Sequence, residues 1–109
     1  MKMIWLTCVA LAGCAGTVSD VRSHPVFFEA ASAKSLGALS QCLADKWSKG
    51  EVNSVPRERG VTITVGWHFH SSPVTEAVVD IDDLGETRRV TLRVRKEHKS
   101  LREDVKSCL

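Results

Sequence analysis

The chain has 109 residues, 15 Lys and Arg against 13 Asp and Glu, four Cys and a formal net charge of +2. That length holds one domain and leaves no room for a second core. With 26% charged and 6% aromatic residues the chain is neither disordered nor collagenous, and so small a net charge gives no electrostatic footprint for nucleic acid.

The N-terminus reads as an address. Lys2 supplies a positive start, Met3 to Ala10 form an uncharged apolar run, and small residues follow. That run is too short to span a bilayer and has the layout of an export signal. Leu11-Ala12-Gly13-Cys14 then resembles the lipobox of bacterial lipoproteins. The resemblance implies a signal peptide over residues 1–13, cleavage before Cys14, and acyl chains on Cys14 that hold the protein to a lipid bilayer. Ala15 follows the cysteine where an Asp would signal retention, so the resemblance places the protein at the outer membrane, facing the periplasm. Residues 15–24 are small and polar without a period, which predicts that 14–24 comprise the lipidated cysteine and a tether. A single domain over 25–109 follows.

With Cys8 removed and Cys14 acylated, Cys42 and Cys108 remain. Two cysteines in an exported chain predict one disulfide. A Cys-rich metal site would need closer Cys spacing than this chain has.

From Ala30 to Lys49 the pattern is helical, with Leu36, Leu39, Leu43 and Trp47 on one stripe, Cys42 beside it, and Gly50 as the terminating residue. Phe27 and Phe28, just before it, are expected to fold back onto the core. A loop around Pro56 and Gly60 leads into a period of two. Val61, Ile63, Val65, Trp67 and Phe69 alternate with polar residues as a first strand, and Val74 to Asp82 form a second. The turn Asp83 to Thr87 opens a third, with Val90, Leu92 and Val94 inward. Pairing Ile81 with Val90 sets Asp82 against Arg89 and Glu76 against Arg95, opposite charges that disfavour a slipped register. Ser100 and Glu103 fit a capping box that starts a short C-terminal helix, with Leu101, Val105 and Cys108 on one side. The predicted fold is α+β: a small two-layer sandwich of an N-terminal helix, a three- to four-stranded antiparallel meander and a short C-terminal helix, stapled by the disulfide. The segments Ala38 to Trp47 and Val105 to Leu109 also resemble, in layout, a loose group of small proteobacterial lipoproteins, a likeness that lends no function.

Chemistry is sparse. There is no Gly-x-Ser-x-Gly, no glycine-rich phosphate cradle and no cysteine left free after export. The acidic run Asp80, Asp82, Asp83 and Glu86 lacks an EF-hand pattern and faces arginines, so paired surface charge is its expected role. The sharpest local signal is His68 and His70, two residues apart on one strand face. A register that sets Glu76 opposite His68 would allow a metal site. The alternative is plain imidazoles beside Trp67 and Phe69, with His68 bonded to Glu76. The expected function is a non-enzymatic envelope lipoprotein without a cofactor, which binds a protein or envelope polymer through the polar sheet face carrying His68, His70, Glu76, Arg93 and Arg95. Two alternatives stand beside it: a periplasmic metal- or solute-binding module built on His68 and His70, and an inhibitor or immunity-type protein with a protruding loop at Glu51 to Gly60.

Overall fold

Apolar residues at alternate positions give the centre of the molecule its strands, and each face of those strands is then covered by helices. The structure is a computed structural model that describes residues 17–69 and 72–109, without the side chains of 68, 69, 72 and 73. In chain order it comprises α1 (Val18–Arg22), β1 (Phe28–Ser32), α2 (Leu36–Lys46), β2 (Glu51–Arg57), β3 (Gly60–Phe69), β4 (Ser72–Asp83), β5 (Arg88–Val94) and α3 (Lys99–Cys108). The strands form one antiparallel sheet in the order β1-β5-β4-β3-β2. The fold is α+β, with five strands where the sequence predicts three to four.

The two added strands sit at the edges, where hydrophobic alternation is weakest. β1 overlaps the start of the stretch that reads as helix from Ala30, and pairs Phe28 with Leu92 and Ala30 with Val90. Ser35 then starts α2 by accepting the Ala38 N–H at 3.1 Å, so the helix begins later than expected. It also ends earlier, at Lys46; the Gly50 N–H closes the following turn on Trp47 O at 2.9 Å. β2 occupies the segment expected to protrude as a loop. Only Val52 along it is part-buried, so an edge strand with polar surface reads as loop. α3 starts at Lys99 behind an N-cap His98 that makes no side-chain cap bond; the Ser100–Glu103 capping box does not form.

The predicted core is present. Leu39, Leu43 and Trp47 of the α2 stripe meet Leu101, Val105 and Cys108 of α3 over Ile63, Val65, Ala77, Val79, Ile81, Val90, Leu92 and Val94. Cys42 and Cys108 are bonded, with Cα atoms 5.7 Å apart across 66 positions of sequence. The β4–β5 register matches the parity argument, with Ile81 opposite Val90, Asp82 opposite Arg89 and Ala77 opposite Val94. Ser32 and Lys34 pin the C-terminus through Leu109 O (3.2 Å) and Cys108 O (3.1 Å).

The second sheet face departs from expectation. The sequence predicts a polar face there and a tether over residues 15–24, of which 15 and 16 lie outside the described residues. Instead α1 lies across β4 and β5 on the side away from α2 and α3, and Val21 is 0% and Val78 1% exposed. Asp80 is the hub. Its carboxylate accepts from Thr62 Oγ1 at 2.7 Å and from Arg22 Nη1 at 2.9 Å, with Arg93 at 3.7 Å and Arg57 at 4.0 Å. Arg93 Nε also donates to His24 O at 3.1 Å, holding the segment after α1. No buried side-chain nitrogen or oxygen among the described residues lacks a partner. A segment of five helical residues with one buried apolar side chain gives no periodic signal; its docking is a tertiary effect.

At the β4–β5 turn Gly85 has φ +102°, a conformation that a Cβ would strain. Its N–H bonds Asp83 Oδ1 at 3.0 Å, and this bond, aided by Arg88, outweighs desolvation and holds the Asp83 carboxyl below its ordinary 3.8.

Replacing both Cys42 and Cys108 by Ala should lower unfolding stability by about 4 kcal/mol, read from urea melts, since the unfolded chain loses a long closed loop. Asp80→Ala should cost about 1–3 kcal/mol by stranding Thr62 and the arginines, and hydrogen exchange should speed first in residues 18–24. Because the Asp83 pKa is depressed, its stabilising contribution is complete above pH 3.8 and lost as pH falls through the lower folded value. Asp83→Asn should remove that acid-limb dependence in a pH series of thermal melts.

Candidate functional site: a groove at one end of the sheet

Where β3 and β4 diverge from regular pairing, a side chain is re-aimed. The register runs Val65 opposite Ala77, then Gly66 opposite Thr75, so Glu76 has no partner on β3. Such a bulge adds twist and bends the strand. Gly66 permits it: a Cβ there would collide with the Val74 carbonyl. Beyond the bulge Pro73, not Glu76, lies opposite His68, so the register proposed for a His68–Glu76 contact does not occur.

Glu76 pairs with Arg95, as the parity argument expects. Arg95 Nη2 and Nε donate to the same carboxylate oxygen, Oε2, at 2.8 and 3.2 Å, and the Arg95 N–H bonds Glu76 O at 2.9 Å. Their side chains are 29% and 15% exposed. The pair lies on the wall of an open groove of about 750 Å³. Trp67 forms part of the lining, with the turn after α2 on one side and the start of α3 on the other. Gly50 lies flush against the Trp67 indole; a Cβ would come within 3.0 Å of the ring and 2.9 Å of Gly66 O. Trp47, buried in the core, donates Nε1–H to Asp104 Oδ2 at 2.9 Å and so ties the two helices along the groove floor. His98 Nδ1 is 2.7 Å from Ser100 Oγ on the rim.

The predicted binding face therefore divides. Glu76 and Arg95 meet in the groove, whereas Arg93 belongs to the Asp80 cluster under α1. The His68 side chain and all of His70 lie outside the described residues. Among the described residues no group of three His, Cys, Asp or Glu could hold a metal. The acidic run is dispersed among arginines: Asp80 with Arg22, Asp82 with Arg57 at 3.0 Å, and Asp83 with Arg88 at 3.1 Å.

Sequence reasoning does not single out Trp47, Trp67, His98 or Asp104 as groove residues. One signal was available: a glycine inside a strand, Gly66, marks a bulge or a close approach of backbone. Among the described residues no helix is long and apolar enough to cross a membrane. Comparison with protein-family models, with curated proteins and with solved structures finds no match.

Glu76→Gln and Arg95→Gln should each cost about 1 kcal/mol of stability, and a double-mutant cycle should give a coupling of about 1 kcal/mol. Exposure of the pair keeps the value this low. The Trp67 indole N–H resonance should shift in both single variants.

Proposed function

We propose that the chain is an envelope lipoprotein, acylated at Cys14 and non-enzymatic, whose disulfide-stapled domain binds another envelope macromolecule through the groove at the end of the sheet. The observation that carries this reading is the groove itself. It brings a half-buried tryptophan, a fixed Glu76–Arg95 pair and polar helix ends around one concavity of about 750 Å³. Concave sites with a partly apolar lining and a few oriented polar groups are where small domains recognise ligands.

Docking of α1 shortens the proposed anchor. Only Ala15 and Gly16 separate Cys14 from Thr17, the N-cap of α1. Three residue steps reach at most about 11 Å. The domain then rides at the bilayer surface instead of swinging on a tether. α1 covers the sheet face opposite α2 and α3, while the groove is bounded by the ends of those two helices. This favours a partner other than the lipid headgroups around the anchor.

Cys14→Ser should move the protein from the membrane fraction to the soluble fraction and remove the mass of the acyl chains from the purified protein. Retention of both would sink the lipoprotein reading. Cross-linked affinity capture of the full-length chain from its own envelope should yield a stoichiometric partner. That partner should be lost with Trp67→Ala and with Arg95→Gln, and kept with Arg59→Gln, a surface arginine remote from the groove. Capture that ignores the groove variants would refute the groove as the binding surface.

A further inference from the structure

Charge on this protein is distributed unevenly between residues that are used and residues that are not. Every arginine of the described chain except Arg59 has a carboxylate within ion-pair distance. Among the lysines of the described residues only Lys106 has one. Three of the others, Lys46, Lys49 and Lys96, line the groove, all on exposed positions. Of the acidic groups of the groove one is charge-paired and two accept from neutral donors. Glu76 is held by Arg95, Asp104 accepts from the Trp47 indole, and Asp45 accepts from Gln41 at 3.0 Å. The groove lining thus carries three lysines with no carboxylate of the described residues within ion-pair distance, beside two carboxylates, Asp45 and Asp104, that accept from neutral donors, so its cations outnumber its anions by one.

From this we infer that the ligand of the groove is a carboxylate-bearing glycan, an inference that rests on the groove being the binding surface. A sugar ring offers one face of C–H groups, which an indole takes by dispersion and exclusion of water, and a rim of hydroxyls for neighbouring donors. Trp67 supplies the indole; Ser48, Ser100 and His98 supply polar groups around it. Lys46, Lys49 and Lys96 are placed for carboxylates along the ligand, with flexible stems suited to repeating charges rather than to one fixed fork. A peptide fits less well. An extended peptide would add to the open edges of β1 or β2, and a helical one would need an apolar floor over several turns; here Trp67 and Leu101 are the apolar residues beside the buried Trp47.

The test uses the full-length acylated protein in detergent micelles, with tryptophan fluorescence and calorimetry as readouts. The probe is a tetrasaccharide of alternating N-acetylglucosamine and N-acetylmuramic acid. Neutral chitotetraose and hexaglutamate serve as comparators. Saturable binding of the acidic tetrasaccharide is expected, weakened by salt and about tenfold weaker for chitotetraose, which lacks the carboxylates. Trp67→Ala should abolish the binding. Lys46→Ala/Lys49→Ala/Lys96→Ala should reduce it to the level of the neutral sugar, while the matching triple Lys→Arg variant retains it. These lysines are exposed and unpaired, so unchanged thermal melts will separate lost binding from lost fold. Equal binding of chitotetraose, tighter binding of hexaglutamate, or no binding of the acidic tetrasaccharide would overturn the proposal. If envelope capture still finds a groove-dependent protein partner, the glycan class falls and the groove reading stands; if capture also fails, both fall.

Discussion

The Cys42–Cys108 bond is the constraint on which the helix layer depends. α2 runs between β1 and β2, strands at opposite edges of the sheet, and α3 is the last element of the chain. Neither helix is long enough to hold its place by local propensity. Joining them at Cα atoms 5.7 Å apart fixes their mutual position over the inward residues of β3, β4 and β5. A second link, the Trp47–Asp104 hydrogen bond, joins the C-terminal end of α2 to the middle of α3. One covalent and one polar link, with the buried apolar residues of both helices, hold the two helices together. The groove lies beside the polar link, so a wall built from two separate helices keeps a fixed width.

The opposite sheet face is solved by different means. A five-residue helix cannot supply a second core, and Val21 is its only buried apolar residue. The outer face instead uses threonines and a carboxylate. Thr62, Thr64, Asp80 and Thr91 are buried there, and Asp80 gathers Thr62, Arg22, Arg93 and Arg57 around it. A buried carboxylate left alone would be costly to desolvate, and its charge-assisted bonds offset that cost. The result specifies where the N-terminal segment docks more than it adds stability, since Arg22 keeps 43% of its side chain exposed.

What the sequence disclosed follows from how far each signal is local. Alternation along Val61 to Val94 and the opposed charges of β4 and β5 are pairwise and short-range, and they gave the central strands and the β4–β5 register correctly, Glu76 with Arg95 included. The disulfide followed from counting cysteines once export was assumed. The edges did not follow. β1 and β2 each bond one neighbour and bury little, so Glu29, Asn53, Ser54 and Arg57 read as loop or helix. The bulge at Glu76 was equally opaque, because one extra residue changes parity without changing composition. The β3–β4 register itself differs from the expected one before the bulge, with Val65 opposite Ala77, so His68 would face Val74 without the bulge and faces Pro73 with it, while Glu76–Arg95, on the other side of β4, held.

That bulge also explains why recognition is expected at an end of the sheet and not on a face. In a chain this short both faces are covered by its own elements, an apolar one under α2 and α3 and a largely polar one under α1. The edges present backbone, which favours pairing with strands over reading a ligand. A strand end is the remaining place where side chains can converge without costing core. The β3–β4 bulge opens that end, Gly50 and Gly66 let the backbone approach Trp67 closely, and the turn after α2 brings Lys46 and Lys49 to the rim. The arginines are consumed in holding sheet and helices together, and the lysines near the opening are not. The groove therefore carries both kinds of charge, the Glu76–Arg95 pair that holds the strand ends and the three lysines that no ion pair occupies.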